Sequence, residues 1–172
     1  SAVERSSATA NWSVCRSGSP DRCGTLGNVL ILLRHGRTDA NRQGLLQGRL
    51  DQDLDDHGRR QAVEAAAYIT DVVGPIDEVI ASPLKRAQQT AAAFGLDVTT
   101  DERFIELSYG EYEGVAHADV PSEVWNRWRS DLDYVPPGGE SLAALDERVR
   151  AACDDIAARV EERNVVVVSH VS

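Results

Sequence analysis

Three short apolar runs in this chain each end in polar or basic chemistry, and that pattern constrains the fold more than any other feature. Val29-Leu30-Ile31-Leu32-Leu33 leads into Arg34-His35-Gly36. Glu78-Val79-Ile80-Ala81 leads into Ser82-Pro83-Leu84-Lys85-Arg86, and Val165-Val166-Val167-Val168 into Ser169-His170. An unbroken apolar run of this length suits a strand buried on both faces, as in a parallel sheet covered by helices. Ligands of open parallel sheets bind just past the carboxyl ends of the strands. The pattern therefore predicts that His35, His170, Arg34 and Arg86 converge on one site.

The segments between these runs carry helical signals. Residues 56–73 place Ala62, Val63, Ala66, Ile69, Val72 and Val73 at helical spacing, with Asp55 as N-cap and Gly74-Pro75 as stop. Residues 82–94 read as a helix with Ser82 as N-cap, Pro83 at its first position and Gly95 past its end. A short strand is expected at 96–99, a short helix at 121–131 and a long helix at 141–163 capped by Ser141. Residues 34–53 and 101–114 read as loops. Alternation of strand and helix predicts an α/β fold of three layers, α/β/α, around a mostly parallel sheet.

Residues 1–27 lack any apolar period and are rich in Ser, Gly, Asp and Arg, so they are expected to be a disordered extension ahead of one domain at 28–172. At the other end, the strand at 165–169 is followed by three residues only, and a further helix would be needed to cover it. The domain is therefore expected to be incomplete at its C-terminus, with its last valines short of cover.

With 172 residues and 42% hydrophobic content, the chain can bury a real core. Its net charge of −10 argues against nucleic acid or an anionic membrane as partner, since both reward a basic surface. No apolar run is long enough to span a bilayer. Three cysteines without metal spacing point to the reducing cytoplasm. Asp51-x-Asp53-x-Asp55 imitates a calcium loop, but the sixth position is Asp56 and the twelfth Ala62, where Gly and Glu are needed. Neither a metal nor a nucleotide cofactor is expected.

The remaining chemistry suits a phosphoryl group. A neutral imidazole at His35 can attack phosphorus and carry the group covalently. Arg34 and Arg86 each offer a planar fork to phosphate oxygens, and a helix N-terminus beside Arg86 adds partial positive charge. Asn41 can reach back from the loop. Glu106 lies between Ile105 and Leu107, which suits a half-buried carboxyl that protonates a leaving alkoxide. His170, if protonated, would stabilise charge on the equatorial oxygens. His57 and His117 have no such setting and read as surface residues.

In this order, the motifs resemble the histidine phosphatase superfamily, which is phosphoglycerate mutase-like. The resemblance rests on Arg34-His35-Gly36-x-Thr38-x-x-Asn41, Gln47-Gly48-Arg49, Leu54-x-x-x-Gly58-x-x-Gln61-Ala62 and Ser82-Pro83-Leu84-x-Arg86-Ala87-x-Gln89-Thr90. It extends through Glu106-Leu107-x-Tyr109-Gly110-x-x-Glu113-Gly114 and Gly138-Gly139-Glu140-Ser141 to His170, where Val171 stands in place of the usual glycine. The resemblance implies His35 as the phosphorylated nucleophile, Glu106 as proton donor, and Arg34, Arg86 and His170 as the phosphate pocket. It also implies that Asn41, Thr38, Gln47 and Arg49 lie at the substrate. A phosphatase acting on a small phosphorylated substrate is the leading expectation. A cofactor-dependent phosphoglycerate mutase and a non-catalytic phospholigand-binding protein are the alternatives.

Overall fold

The computed structural model describes residues 12–16, 29–160 and 163–171. Five strands form one sheet in the order β1-β2-β5-β3-β4. They are β1 (Trp12–Arg16), β2 (Val29–Arg34), β3 (Glu78–Ala81), β4 (Val98–Thr100) and β5 (Val165–Ser169). β2, β5, β3 and β4 run parallel, and β1 joins antiparallel at the edge of β2. The helices are α1 (Asp39–Gln43), α2 (Asp56–Val73), α3 (Lys85–Ala91), α4 (Ser122–Ser130) and α5 (Leu142–Val160).

The three layers are those expected. On one face, Ile69 and Val73 of α2 and Ala87 and Ala91 of α3 pack against Val29, Ile31, Leu33, Val79, Val166 and Val168. On the other, Ala152, Ile156 and Val160 of α5 pack against Ile80, Val165 and Val167. β5 is the middle strand of the sheet, with a parallel partner on either side, and its four valines are at most 1% exposed. The expectation that these valines lack cover is therefore corrected, because α5 already lies over them. The open position falls one strand out. Leu32 of β2, on the face that α5 covers over β5 and β3, is 42% exposed.

Other expectations shift in detail. The 1–27 segment was expected to lack regular structure, yet residues 12–16 form β1. Trp12, Val14 and Arg16 alternate with Ser13 and Cys15, but five residues are too few for composition to reveal a strand that a free sheet edge recruits through backbone hydrogen bonds. The rest of that segment, and residues 161–162 of the expected long helix, lie outside the described residues. α1 arises inside the expected 34–53 loop. Thr38 and Asn41 make a capping box there: the Thr38 hydroxyl accepts from the Asn41 N–H, and the Asn41 side chain accepts from the Thr38 N–H. Asp55 caps α2 as expected, accepting from the Gly58 N–H at 2.7 Å. Among the described residues, no helix is long and apolar enough to cross a membrane.

One close approach fixes the start of α2 beneath the loop after β2. A Cβ on Gly36 would collide with the Gly58 carbonyl, and a Cβ on Gly58 with the Arg37 backbone. Replacing a helical glycine by alanine ordinarily favours the helix by about 1 kcal/mol. Here the sign reverses, because backbone cannot swing aside and overpacking costs roughly 1–3 kcal/mol. Gly58→Ala is expected to lower the midpoint of urea unfolding. An unchanged or higher midpoint would mean that the two segments do not meet so closely.

Candidate active site

Parallel register sets the three chemical segments side by side. Arg34 is level with Ser169, and Ala81 with Val168. The ladder then continues one step beyond the strands: the His35 N–H donates to the Ser169 carbonyl at 3.0 Å, and the Ser82 N–H to the Val168 carbonyl at 3.0 Å. His35, His170 and Ser82 therefore emerge together at the carboxyl edge of the sheet. The rings of His35 and His170 lie 5.2 Å apart, tilted by 59°.

Arg86 organises this cluster. It sits on the first turn of α3 and is fully buried. Its Nε donates to His35 Nε2 at 3.3 Å, Nη1 to the Leu50 carbonyl at 2.7 Å and Nη2 to the Gly48 carbonyl at 2.7 Å. An arginine can only donate, so His35 Nε2 must present a lone pair. The proton of the neutral ring then belongs on Nδ1, which donates to the Gly36 carbonyl at 2.7 Å. Burial first, and then the charges of Arg86 and Arg34, pull His35 from 6.5 down to about 3, against the opposing pull of the Gly36 carbonyl.

His170 is fixed from the other side. Its Nε2 lies 2.8 Å from the Ser82 hydroxyl, while its buried Nδ1 has no hydrogen-bond partner. Burial, followed by Arg86 and His35, lowers it to about 2. Ser82 was expected to cap the next helix. Instead α3 begins at Lys85, whose N–H is accepted by Asp51 at 2.7 Å, and the Ser82 hydroxyl accepts from the Leu84 N–H at 3.4 Å and meets His170 at 2.8 Å.

Of the remaining expected residues, Arg34 is exposed at the end of β2, close enough to both histidines for its charge to be felt. Glu106 stands within electrostatic reach of Arg86, and its Oε1 accepts from the Leu107 N–H at 2.8 Å. Thr38 and Gln47 are buried and bonded to each other at 2.8 Å, and the Asn41 carboxamide oxygen is held by Thr38. Arg49 donates to the Glu106 carbonyl at 3.3 Å and pairs with Glu140 at 3.2 Å. The structure thus joins Arg34, His35, Arg86, Glu106 and His170 in one electrostatic cluster. Thr38, Asn41 and Gln47 form a bonded group on the neighbouring loop.

Residue-by-residue reading did not assign several residues of this framework. Arg148 carried no local signal. Glu140 and Glu113 were noted only as parts of motifs, yet Glu113 Oε1 accepts from the N–H groups of both Arg49 and Tyr109 and so ties two loops together. Burial pushes the Glu140 carboxyl up, but its bond and charge interaction with Arg148, then Arg49, outweigh this and hold it below its ordinary value. Among the described residues no cluster of His, Cys, Asp or Glu has the arrangement of a metal site.

Comparison with known proteins identifies the family. Residues 30–172 match the model of the histidine phosphatase superfamily (branch 1). The chain belongs to that superfamily. The bifunctional protein Rv2228c of Mycobacterium tuberculosis is 37% identical over 97% of this chain, which spans only 45% of that protein's length. A glucosyl-3-phosphoglycerate phosphatase of the same species is 35% identical, covering 82% of this chain and 69% of the relative. Phosphoserine phosphatase 1 of Hydrogenobacter thermophilus is 36% identical, covering 82% and 70%. Among solved structures, a mycobacterial glucosyl-3-phosphoglycerate phosphatase in complex with VO3 superposes with a TM-score of 0.73 at 33% identity, covering 82% of this chain and 74% of that one.

The buried imidazole of His35 has a measurable consequence. Between pH 6.5 and about 3 the unfolded chain protonates this residue and the native chain does not, so its contribution to stability falls as pH falls through that window. His35→Asn removes this contribution. The stability of the variant relative to the parent should therefore rise between pH 7 and pH 4 in urea titrations. A difference independent of pH would contradict the buried neutral state.

Proposed function

We propose that this chain is the catalytic domain of a phosphatase that hydrolyses a small phosphate monoester through a phosphohistidine at His35, without a metal ion. The reading rests chiefly on one contact, that of Arg86 Nε with His35 Nε2. It leaves the attacking nitrogen unprotonated and a guanidinium beside the place where phosphoryl oxygens would lie.

In the first step, His35 Nε2 forms a bond to phosphorus as the ester P–O bond breaks. The leaving alkoxide takes a proton from Glu106. In the second, water attacks the phosphohistidine, Glu106 takes a proton from that water, and inorganic phosphate leaves His35. Arg86 keeps a second N–H on each terminal nitrogen for the phosphoryl oxygens. Arg34 at the rim adds a fork, and the imidazole of His170, 5.2 Å from that of His35, supplies a further donor when protonated. Asn41, Thr38, Gln47 and Arg49 line the approach. The names of the relatives, one acting on glucosyl-3-phosphoglycerate and one on phosphoserine, favour hydrolysis over a mutase reaction. A cytoplasmic setting suits the free thiol of Cys153.

The test is chemical trapping. Rapid quench with labelled substrate should yield an acid-labile, base-stable phosphoryl adduct on the parent protein. His35→Ala should remove both the adduct and turnover. Turnover by His35→Ala would overturn the assignment. Turnover of the parent should also survive a strong chelator, and loss restored by a divalent ion would overturn the metal-free reading.

A further inference from the structure

Glu106 lies on a stretch, residues 105–109, that belongs to no helix and no strand. Something other than a backbone ladder must therefore hold its carboxyl in place. The carboxyl itself accepts from the adjacent Leu107 N–H at 2.8 Å, and the backbone that carries it is bonded by side chains from far along the chain. Arg148, on α5 and only 17% exposed, reaches this backbone with both terminal nitrogens. Nη1 donates to the carbonyls of Arg103 and Ile105 at 2.6 Å each, and Nη2 to the Glu106 carbonyl at 3.3 Å. Its Nε and Nη2 meet the two oxygens of Glu140 at 2.9 Å each.

A second guanidinium closes the ring. Arg49 donates to the same Glu106 carbonyl at 3.3 Å and to the same Glu140 oxygen at 3.2 Å. The Glu140 backbone is itself seated on the segment, its N–H donating to the Ser108 carbonyl at 3.0 Å. That seat needs glycine on both sides: a Cβ on Gly110 would strike the Pro137 carbonyl, and one on Gly139 the Ser108 carbonyl. Arg148 and Arg49 are thus bridged by one carboxylate and converge on the backbone of one residue.

We infer that Arg148, locked by Glu140, is the positioning residue that aims the Glu106 carboxyl at the leaving-group oxygen. The inference rests on Glu106 as proton donor. An arginine that merely stapled the fold would support attack by His35 and protonation by Glu106 alike. A positioning residue acts only on the second. Displacing a catalytic group by about 1 Å can cost on the order of 10²-fold.

The experiment compares kcat/KM for an alkyl phosphate, whose leaving group needs a proton, with that for p-nitrophenyl phosphate, whose leaving group scarcely does. Glu106→Gln sets the scale and should slow the alkyl ester selectively, by roughly 10²–10⁴-fold. Arg148→Lys should slow the alkyl ester by roughly 10–10²-fold and the aryl ester by less than about threefold. Glu140→Gln, which keeps the side-chain volume, should act in the same direction and provides the test if the lysine variant does not fold. In the Glu106→Gln background, Arg148→Lys should add no further selective loss, because the two act as one unit. Equal slowing of both esters, or slowing of neither, in a folded Arg148→Lys or Glu140→Gln protein overturns the inference and leaves the Glu106 assignment standing. Equal slowing of both by Glu106→Gln overturns the proton-donor reading and this inference with it.

Discussion

Arg86 is the group around which the site is built. Its guanidinium is fully buried, and its direct partners are neutral: an imidazole nitrogen and two backbone carbonyls. Burying a cation without a directly paired anion is expensive, and satisfied hydrogen bonds reduce that cost without cancelling the charge. The carboxylates of Glu106, Asp51 and Glu113 act on it through space. A standing positive charge in a low-dielectric setting attracts an anion more strongly than an exposed arginine would. The same guanidinium fixes His35 and holds the carbonyls of Gly48 and Leu50, so one residue links the proposed nucleophile, a buried charge and the loop.

The two histidines show how burial and cation charge act together. Both imidazoles lose solvent and face arginines, and both effects disfavour the protonated ring. For the nucleophile proposed above this is useful, because Nε2 stays unprotonated well below neutral pH. For His170, in the reaction proposed above, a phosphate dianion brought near the ring would favour its protonated form.

Around these strand-end groups, the walls are made of irregular backbone. The segments near residues 47–50 and 105–114 are held by side chains reaching across the molecule: Arg86 to the carbonyls of 48 and 50, Glu113 to the N–H groups of 49 and 109, and Arg148 to the carbonyls of 103, 105 and 106. Loops carry function because a rigid scaffold positions them. Here the scaffold is joined to them by charged side chains bonded to backbone groups, the stronger kind of hydrogen bond.

What could be read from the chain alone was whatever depends on local order: apolar runs that had to be buried strands, helical periods and Asp55 as a cap, and the placing of His35, Arg86 and His170 just past strand ends. Parallel register turns such positions into neighbours, so their convergence was legible before any coordinate. The tertiary structure decided the rest. Ser82 has a cap-like sequence setting, yet Asp51 from another loop caps α3, and the hydroxyl turns to His170. Residues 12–16 gained a strand because the edge of β2 was open to pairing. Arg148, 42 residues from Glu106, gave no local sign of these contacts, since bonds to backbone carbonyls leave no mark on the sequence of the segment that receives them. Sequence determines which groups stand at the ends of the strands; only the folded chain determines which distant side chains hold the loops against them.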